Sequence, residues 1–242
     1  MARGRKSTEF KKSSEYEVVS PQIEDEILEV YTELAGDEDL YLSQLPELFG
    51  ILKIPECFTQ DIKDCIEYYY DFIRPNADVK FDATNVKQYT TLNLINSYSL
   101  TSNITKIHEV IDIVDIDKLI RNLNRLIKFR NNYKHIFQSW ELFVAAATTE
   151  EAGISIDKSE SFVLNYKLSL PDLKHIKNAL NLDHESQGKH SLGDSFLIDM
   201  LSCCTTNSRG DILNFDFNKP KTGLCVSIKD FAEILGNLGE LE

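Results

Sequence analysis

Along this chain apolar side chains recur at i, i+3, i+4 and i+7 in successive segments, the pattern of amphipathic helices facing a shared core. Ser20 precedes Pro21, an N-cap residue followed by proline at the first helical position, and Ile23, Ile27, Val30, Tyr31 and Leu34 follow at helical spacing up to Gly36. Leu45, Leu48, Phe49 and Leu52 predict a second helix, and Ile62, Ile66, Tyr69 and Ile73 a third that ends before Pro75. From Asn76 to Thr105 the chain is thick with Asn, Thr and Ser and keeps no period, so an irregular insertion is expected. Helicity resumes with Ile116, Leu119, Leu123 and Leu126, breaks at Asn131 and Asn132, and continues with Ile136, Trp140, Phe143 and Ala147. Thr148 to Ser161 reads as a polar loop. Leu170, Leu173, Ile176 and Leu180 predict another helix, and His184 to Asp194 a loop. A further helix holds Phe196, Met200, Leu201 and Cys204. Asn207 to Gly223 is a long loop in which Ile212, Phe215 and Phe217 suit a short strand, and Phe231, Ile234, Leu235 and Leu238 form the last helix. The count is about eight helices in four pairs.

The helices that close these pairs begin alike. Val114-Asp115-Ile116, Leu168-Ser169-Leu170 and Val226-Ser227-Ile228 each set an apolar residue before an N-cap residue, and Leu42-Ser43-Gln44 matches with a one-residue slip. The apolar residue can pair in a short extended segment, the hydroxyl or carboxylate caps the next helix, and the apolar residue four positions on begins the core face. That is the second half of an EF-hand. The N-caps stand 72 residues apart from Ser43 to Asp115, then 54 to Ser169 and 58 to Ser227, so a four-hand array here carries long insertions. A working calcium loop needs oxygen ligands at positions 1, 3 and 5 and a bidentate Glu at 12. With Leu42 at position 8, the first loop sets Ala35, Asp37 and Asp39 at the early positions and Pro46 at the last. The third offers Ser161, Val163 and Asn165, and the fourth Lys219, Lys221 and Gly223. No bound metal is expected, and no other cofactor.

The 242 residues are 42% hydrophobic and 27% charged, the composition of a globular protein, and the ten glycines and six prolines are few for an all-β design. The net charge is −13, which disfavours a body that grips nucleic acid by charge. Met1 to Lys12 runs against that sign, with Arg3, Arg5, Lys6, Lys11 and Lys12 against Glu9. A solvated tail is expected there, with a nucleic-acid contact arm as the alternative. No segment has the roughly 18 uninterrupted apolar residues of a membrane span, so no membrane partner is expected. The five cysteines are odd in number and form no CxxC pair, and His184 and His190 lie too far apart for a helical metal pair. Phosphate loops, nucleophile elbows and dinucleotide fingerprints are absent from the sequence. No enzymatic activity is expected.

The segments IEDEILEVYTELAGDEDLYLSQLPELF at Ile23, LSLPDLKHI at Leu168, MLSC at Met200 and VSIKDFAEILGNLG at Val226 resemble the small centrin-related accessory factors of fungal nucleotide excision repair. The resemblance runs from Ile23 to Leu241 and thins at Arg74 to His108 and at Thr206 to Leu224. It implies an all-α, calmodulin-like fold of two lobes of degenerate EF-hand pairs. The division expected is a basic disordered tail at residues 1–20, an N-terminal lobe at residues 21–132 with an insertion at about 76–105, and a C-terminal lobe at residues 133–242. The resemblance also implies a nuclear location and a non-catalytic role in a damage-recognition complex. There the chain binds and stabilises the damage-recognition protein of the xeroderma pigmentosum group C type through one of its helices. An open helix pair takes such a helix in an apolar groove. The residues implied for that groove are Leu173, Ile176, Leu180, Phe196, Met200, Leu201, Phe231, Ile234 and Leu235.

Overall fold

The computed structural model describes residues 16–76, 82, 85–101, 103–104, 106–148, 159–179, 201, 206–207 and 224–241. Helices dominate them: α1 (Pro21–Ala35), α2 (Leu45–Ile51), α3 (Gln60–Tyr68), α4 (Val86–Tyr98), α5 (Ile116–Asn131), α6 (Tyr133–Ala147), α7 (Glu160–Asn165), α8 (Leu170–Ala179) and α9 (Ile228–Leu238). A π-helical turn, Tyr69–Ile73, prolongs α3 toward Pro75. Among the described residues extended structure is limited to a two-residue antiparallel ladder, β1 (Thr206–Asn207) with β2 (Leu224–Cys225), and three isolated bridges. The basic arm at Met1–Lys12, Leu180, the loop at His184–Asp194, the strand around Ile212–Phe217 and the helix at Phe196–Cys204, except Leu201, lie outside the described residues.

The caps explain why helices begin where they do. Ser20 Oγ accepts from Ile23 N and starts α1, and Asp115 Oδ1 accepts from Asp117 N and Lys118 N and starts α5. Ser169 and Ser227 form capping boxes with Asp172 and Asp230: each Asp accepts from the Ser backbone N–H, at 2.7 and 2.8 Å, and its own N–H donates back to the Ser hydroxyl. Ahead of the α8 and α9 caps the apolar residues pair as their position suggests, whereas in the N-terminal half the bridge falls one residue earlier, Tyr41 with Ile113, and Val114 bridges Ser99. Leu168 and Val226 exchange both backbone hydrogen bonds, at 2.9 and 2.8 Å, which joins the starts of α8 and α9. In the N-terminal half Val114 N donates to Leu40 O and Leu42 N to Asp112 O.

Four local expectations are corrected. The stretch expected to be irregular contains α4, capped by Asn85 Oδ1. Periodicity misses it because its inward face mixes Thr90 and Thr91 with Leu92 and Ile95, all four buried. Ser43 does not cap the second helix. Residues 42–44 form a 3₁₀ turn held by Gln44 Oε1, which accepts from Tyr41 N at 2.8 Å, and α2 starts two residues later with Pro46 in its first turn. The loop expected to end at Ser161 ends sooner, because Ser159 Oγ accepts from Phe162 N and starts α7. The tail likewise ends before residue 20. Tyr16 is 2% exposed, its ring stacked on Phe129, and its carbonyl accepts from Lys128 Nζ at 3.0 Å.

One apolar cluster runs through all described helices, from Tyr16 to Leu241, with Trp140, Tyr16, Phe49, Phe58 and Phe129 as its largest fully buried members. Polar links join distant elements around it. Lys229 on α9 pairs with Asp61 on α3 at 2.5 Å, and Lys118 Nζ donates to three carbonyls, of Asn96, Ser99 and Thr101, that close the end of α4. Arg130 holds Glu26 in a two-pronged bond, at 2.5 and 3.0 Å, and donates to Leu52 O. That bond to Arg130 lowers the Glu26 carboxyl below its ordinary value of 4.5. A depressed folded-state pKa contributes stability above the unfolded value that fades as pH falls through the folded one. In thermal melts Glu26→Gln therefore lies below the wild type near neutrality, and the difference shrinks as pH falls below about 4.5.

Candidate partner-binding surface

α9 is fixed at both ends by its sequence. The Ser227–Asp230 box starts it, and Gly239, at φ +81°, takes the left-handed position that ends it. Glu240 N donates to Leu235 O and Gly239 N to Gly236 O, the two bonds of a Schellman motif. One face of α9 is spent on the body of the protein. Ile228, Ala232 and Gly236, four residues apart, are buried, and the small residues let the backbone come close to the Tyr16 ring. Glu233 on this side accepts from the Tyr16 hydroxyl and from Arg125 at 3.1 Å. Burial and the neighbouring Glu233 carboxylate both raise the Tyr16 phenol above its ordinary value, so it stays a donor.

The other face carries larger apolar residues at the same helical spacing. Phe231, Ile234 and Leu235 are half-buried and Leu238 is 47% exposed. Beneath them lies α6, with Phe231 5.6 Å from the Trp140 ring and 5.3 Å from Phe143. Trp140 is itself fully buried and donates Nε1–H to Val163 O at 2.8 Å, which ties α7 to the floor.

The nine residues implied for a groove therefore separate. Phe231, Ile234 and Leu235 lie together on the half-open stripe of α9. Leu173, Ile176 and Leu201 are 4%, 3% and 6% exposed and belong to the cluster that closes the core. Leu180, Phe196 and Met200 lie outside the described residues. Two contributors escaped the list, Leu238 and Phe143. Leu238 continues the i, i+3, i+4, i+7 series from Phe231, and Phe143 sits at core spacing on α6, which gave no sign that α9 would cross there.

Among the described residues no group of three or more His, Cys, Asp or Glu side chains is placed to hold a metal ion, and no helix is long and apolar enough to cross a membrane. Burial raises the thiols of Cys57 and Cys65 to about 12 and about 11, which leaves both as neutral packing groups near pH 7.

Comparison with known proteins places this surface in context. The DNA repair protein RAD33 of Saccharomyces cerevisiae is 24% identical over 221 residues, which is 91% of this chain and 87% of that protein. No solved structure matches the chain. A family model, Rad33, matches residues 13–185, a span that begins just before Tyr16 and runs past the end of α8. The chain belongs to the Rad33 family.

Proposed function

We propose that this chain is a non-catalytic, nuclear subunit of a nucleotide excision repair complex. In this reading it binds an amphipathic helix of a damage-recognition protein of the xeroderma pigmentosum group C type on the half-open stripe of α9, and so stabilises that protein. The observation that carries the reading is the stripe itself. A helix that used all its large apolar residues to close its own domain would bury Phe231, Ile234, Leu235 and Leu238 as fully as it buries Ile228 and Ala232, and it does not. An i, i+3, i+4, i+7 series with a wet edge is the form in which a target helix is received. Family membership and a relative named as a DNA repair protein support the repair setting. The bridges just ahead of helix starts, Leu168 with Val226 and Tyr41 with Ile113, support the reading of degenerate, centrin-like hands. With no calcium to open them, such hands bind their target constitutively.

Binding is tested by titrating the purified chain with the purified damage-recognition protein. Leu238→Glu, at an exposed position, shifts the melting temperature by roughly 1–2 °C at most, since surface changes rarely exceed about 0.5 kcal/mol. It weakens the complex at least about tenfold, because a buried Leu contributes roughly 1.5–3 kcal/mol. Leu235→Glu, half-buried, weakens binding further and lowers stability modestly. Wild-type affinity in both folded variants removes α9 as the site.

A further inference from the structure

A second apolar surface lies at the opposite end of α5, where three extended segments meet. Tyr41 bridges Ile113, Ser99 bridges Val114, and Leu100 N donates to Ile113 O. Alternation along each segment sends Leu40, Leu42, Val114 and Ser99 inward, all buried, and leaves the outward face to Tyr41, Leu100, Ile111 and Ile113. Tyr41 is 40% exposed, Leu100 49% and Ile111 44%, a concentration of large apolar groups on adjoining segments that an isolated surface residue does not produce. The face is rigid. Thr101 Oγ1 donates to Ile111 O, accepts from Ile111 N, and also accepts from the Ser99 hydroxyl, all at 2.9 Å. The backbone edges are already used, by Gln44 at Tyr41 and by Lys118 at Ser99 and Thr101, so an added strand has no partners there and docking must be through side chains.

The rim decides what docks. Asp37, Glu38 and Asp39 directly precede the first segment, all are exposed, and among the described residues none is held by a basic side chain. Asp39 is on the same side as Tyr41 by alternation. The nearest acid across the bridge, Asp112, is occupied, by Arg74 at 2.9 Å and the Tyr70 hydroxyl at 3.2 Å. The face therefore offers apolar area beside three negative charges that no described basic side chain holds, which repels nucleic acid and complements a basic, apolar polypeptide. From this juxtaposition we infer that the Tyr41–Leu100–Ile111–Ile113 face with the Asp37–Asp39 rim docks a protein segment carrying an aliphatic or aromatic anchor flanked by lysine or arginine. This site is separate from the α9 stripe and does not depend on the identity of the partner proposed for it.

The test uses the full chain and two fluorescent peptides, one alternating lysine with leucine around a single tryptophan and one with glutamate in place of lysine. The lysine peptide binds and the glutamate peptide does not. Asp37→Asn/Glu38→Gln/Asp39→Asn weakens the lysine peptide at least fivefold, whereas Glu24→Gln/Asp25→Asn/Glu29→Gln, which removes three charges from exposed positions of α1, changes it less than twofold. Tyr41→Ser/Ile111→Ser abolishes binding while the circular dichroism spectrum is retained, and Leu100→Ser serves if that variant is poorly folded. Equal loss from the two charge-removing triples would mean attraction to the acidic body at large and would overturn the inference. So would unchanged affinity in Tyr41→Ser/Ile111→Ser or Leu100→Ser.

Discussion

Trp140→Ala lowers the unfolding free energy by about 3–5 kcal/mol, the range for truncating a large buried aromatic. Against the roughly 5–15 kcal/mol that holds most domains folded, this is the largest single loss expected from a change in the described core. The side chain is fully buried, touches Phe231 on α9, and is the donor to Val163 O on α7. Its removal opens a cavity beneath the α9 stripe as well as freeing a carbonyl. Calorimetric melting falls by roughly 6–20 °C, taking about 2–4 °C per kcal/mol for a chain of this size. Trp140→Phe separates the two effects. It keeps most of the apolar volume but leaves Val163 O without its donor, so about 1–3 kcal/mol is lost.

Gly236→Ala reverses the usual sign of a glycine-to-alanine change in a helix. Intrinsic propensity favours alanine by about 0.8–1 kcal/mol. Here a Cβ would lie under 3.0 Å from three atoms of the Tyr16 ring, which is buried between α5 and α9. Tyr16 cannot simply swing aside, because its hydroxyl donates to Glu233 and its carbonyl is held by Lys128. Overpacking of this kind costs about 1–3 kcal/mol and outweighs the propensity gain. Denaturant unfolding of a mutant cycle checks it. Gly236→Ala destabilises the wild type, and stabilises the Tyr16→Ala background, where the clash is gone and propensity alone remains.

Much of this architecture is legible from spacing. The first helix, the break between α5 and α6, the start of α9 and the pairing residues Leu168 and Val226 all follow from local signals that tertiary contacts reinforce. α4 is not legible, because its buried face includes threonine, whose hydroxyls a periodicity reading counts as polar. Tyr16 escapes for a different reason. It is a lone aromatic among charged residues, and its partner Glu233 lies 217 positions away. The candidate surface is half legible. Helical spacing marks which face of a helix is covered, but does not distinguish a cover supplied by the same chain from one supplied by another. Leu173 and Ile176 meet the first kind of cover, while the α9 stripe stays half-open. The Tyr41–Ile113 face is invisible to helix periodicity altogether, since four residues from three separate segments compose it.

The most direct measurement of the central claim is site-specific photo-crosslinking in the reconstituted complex. A benzophenone side chain at Leu238, on the exposed end of the α9 stripe, is compared with one at Leu28, which is 37% exposed on α1. On irradiation with the damage-recognition protein, the probe at residue 238 forms a covalent adduct with it and the probe at residue 28 forms none. An adduct from residue 28 without one from residue 238, in a complex shown to be intact by size-exclusion chromatography, would contradict the assignment of α9 as the partner-binding helix.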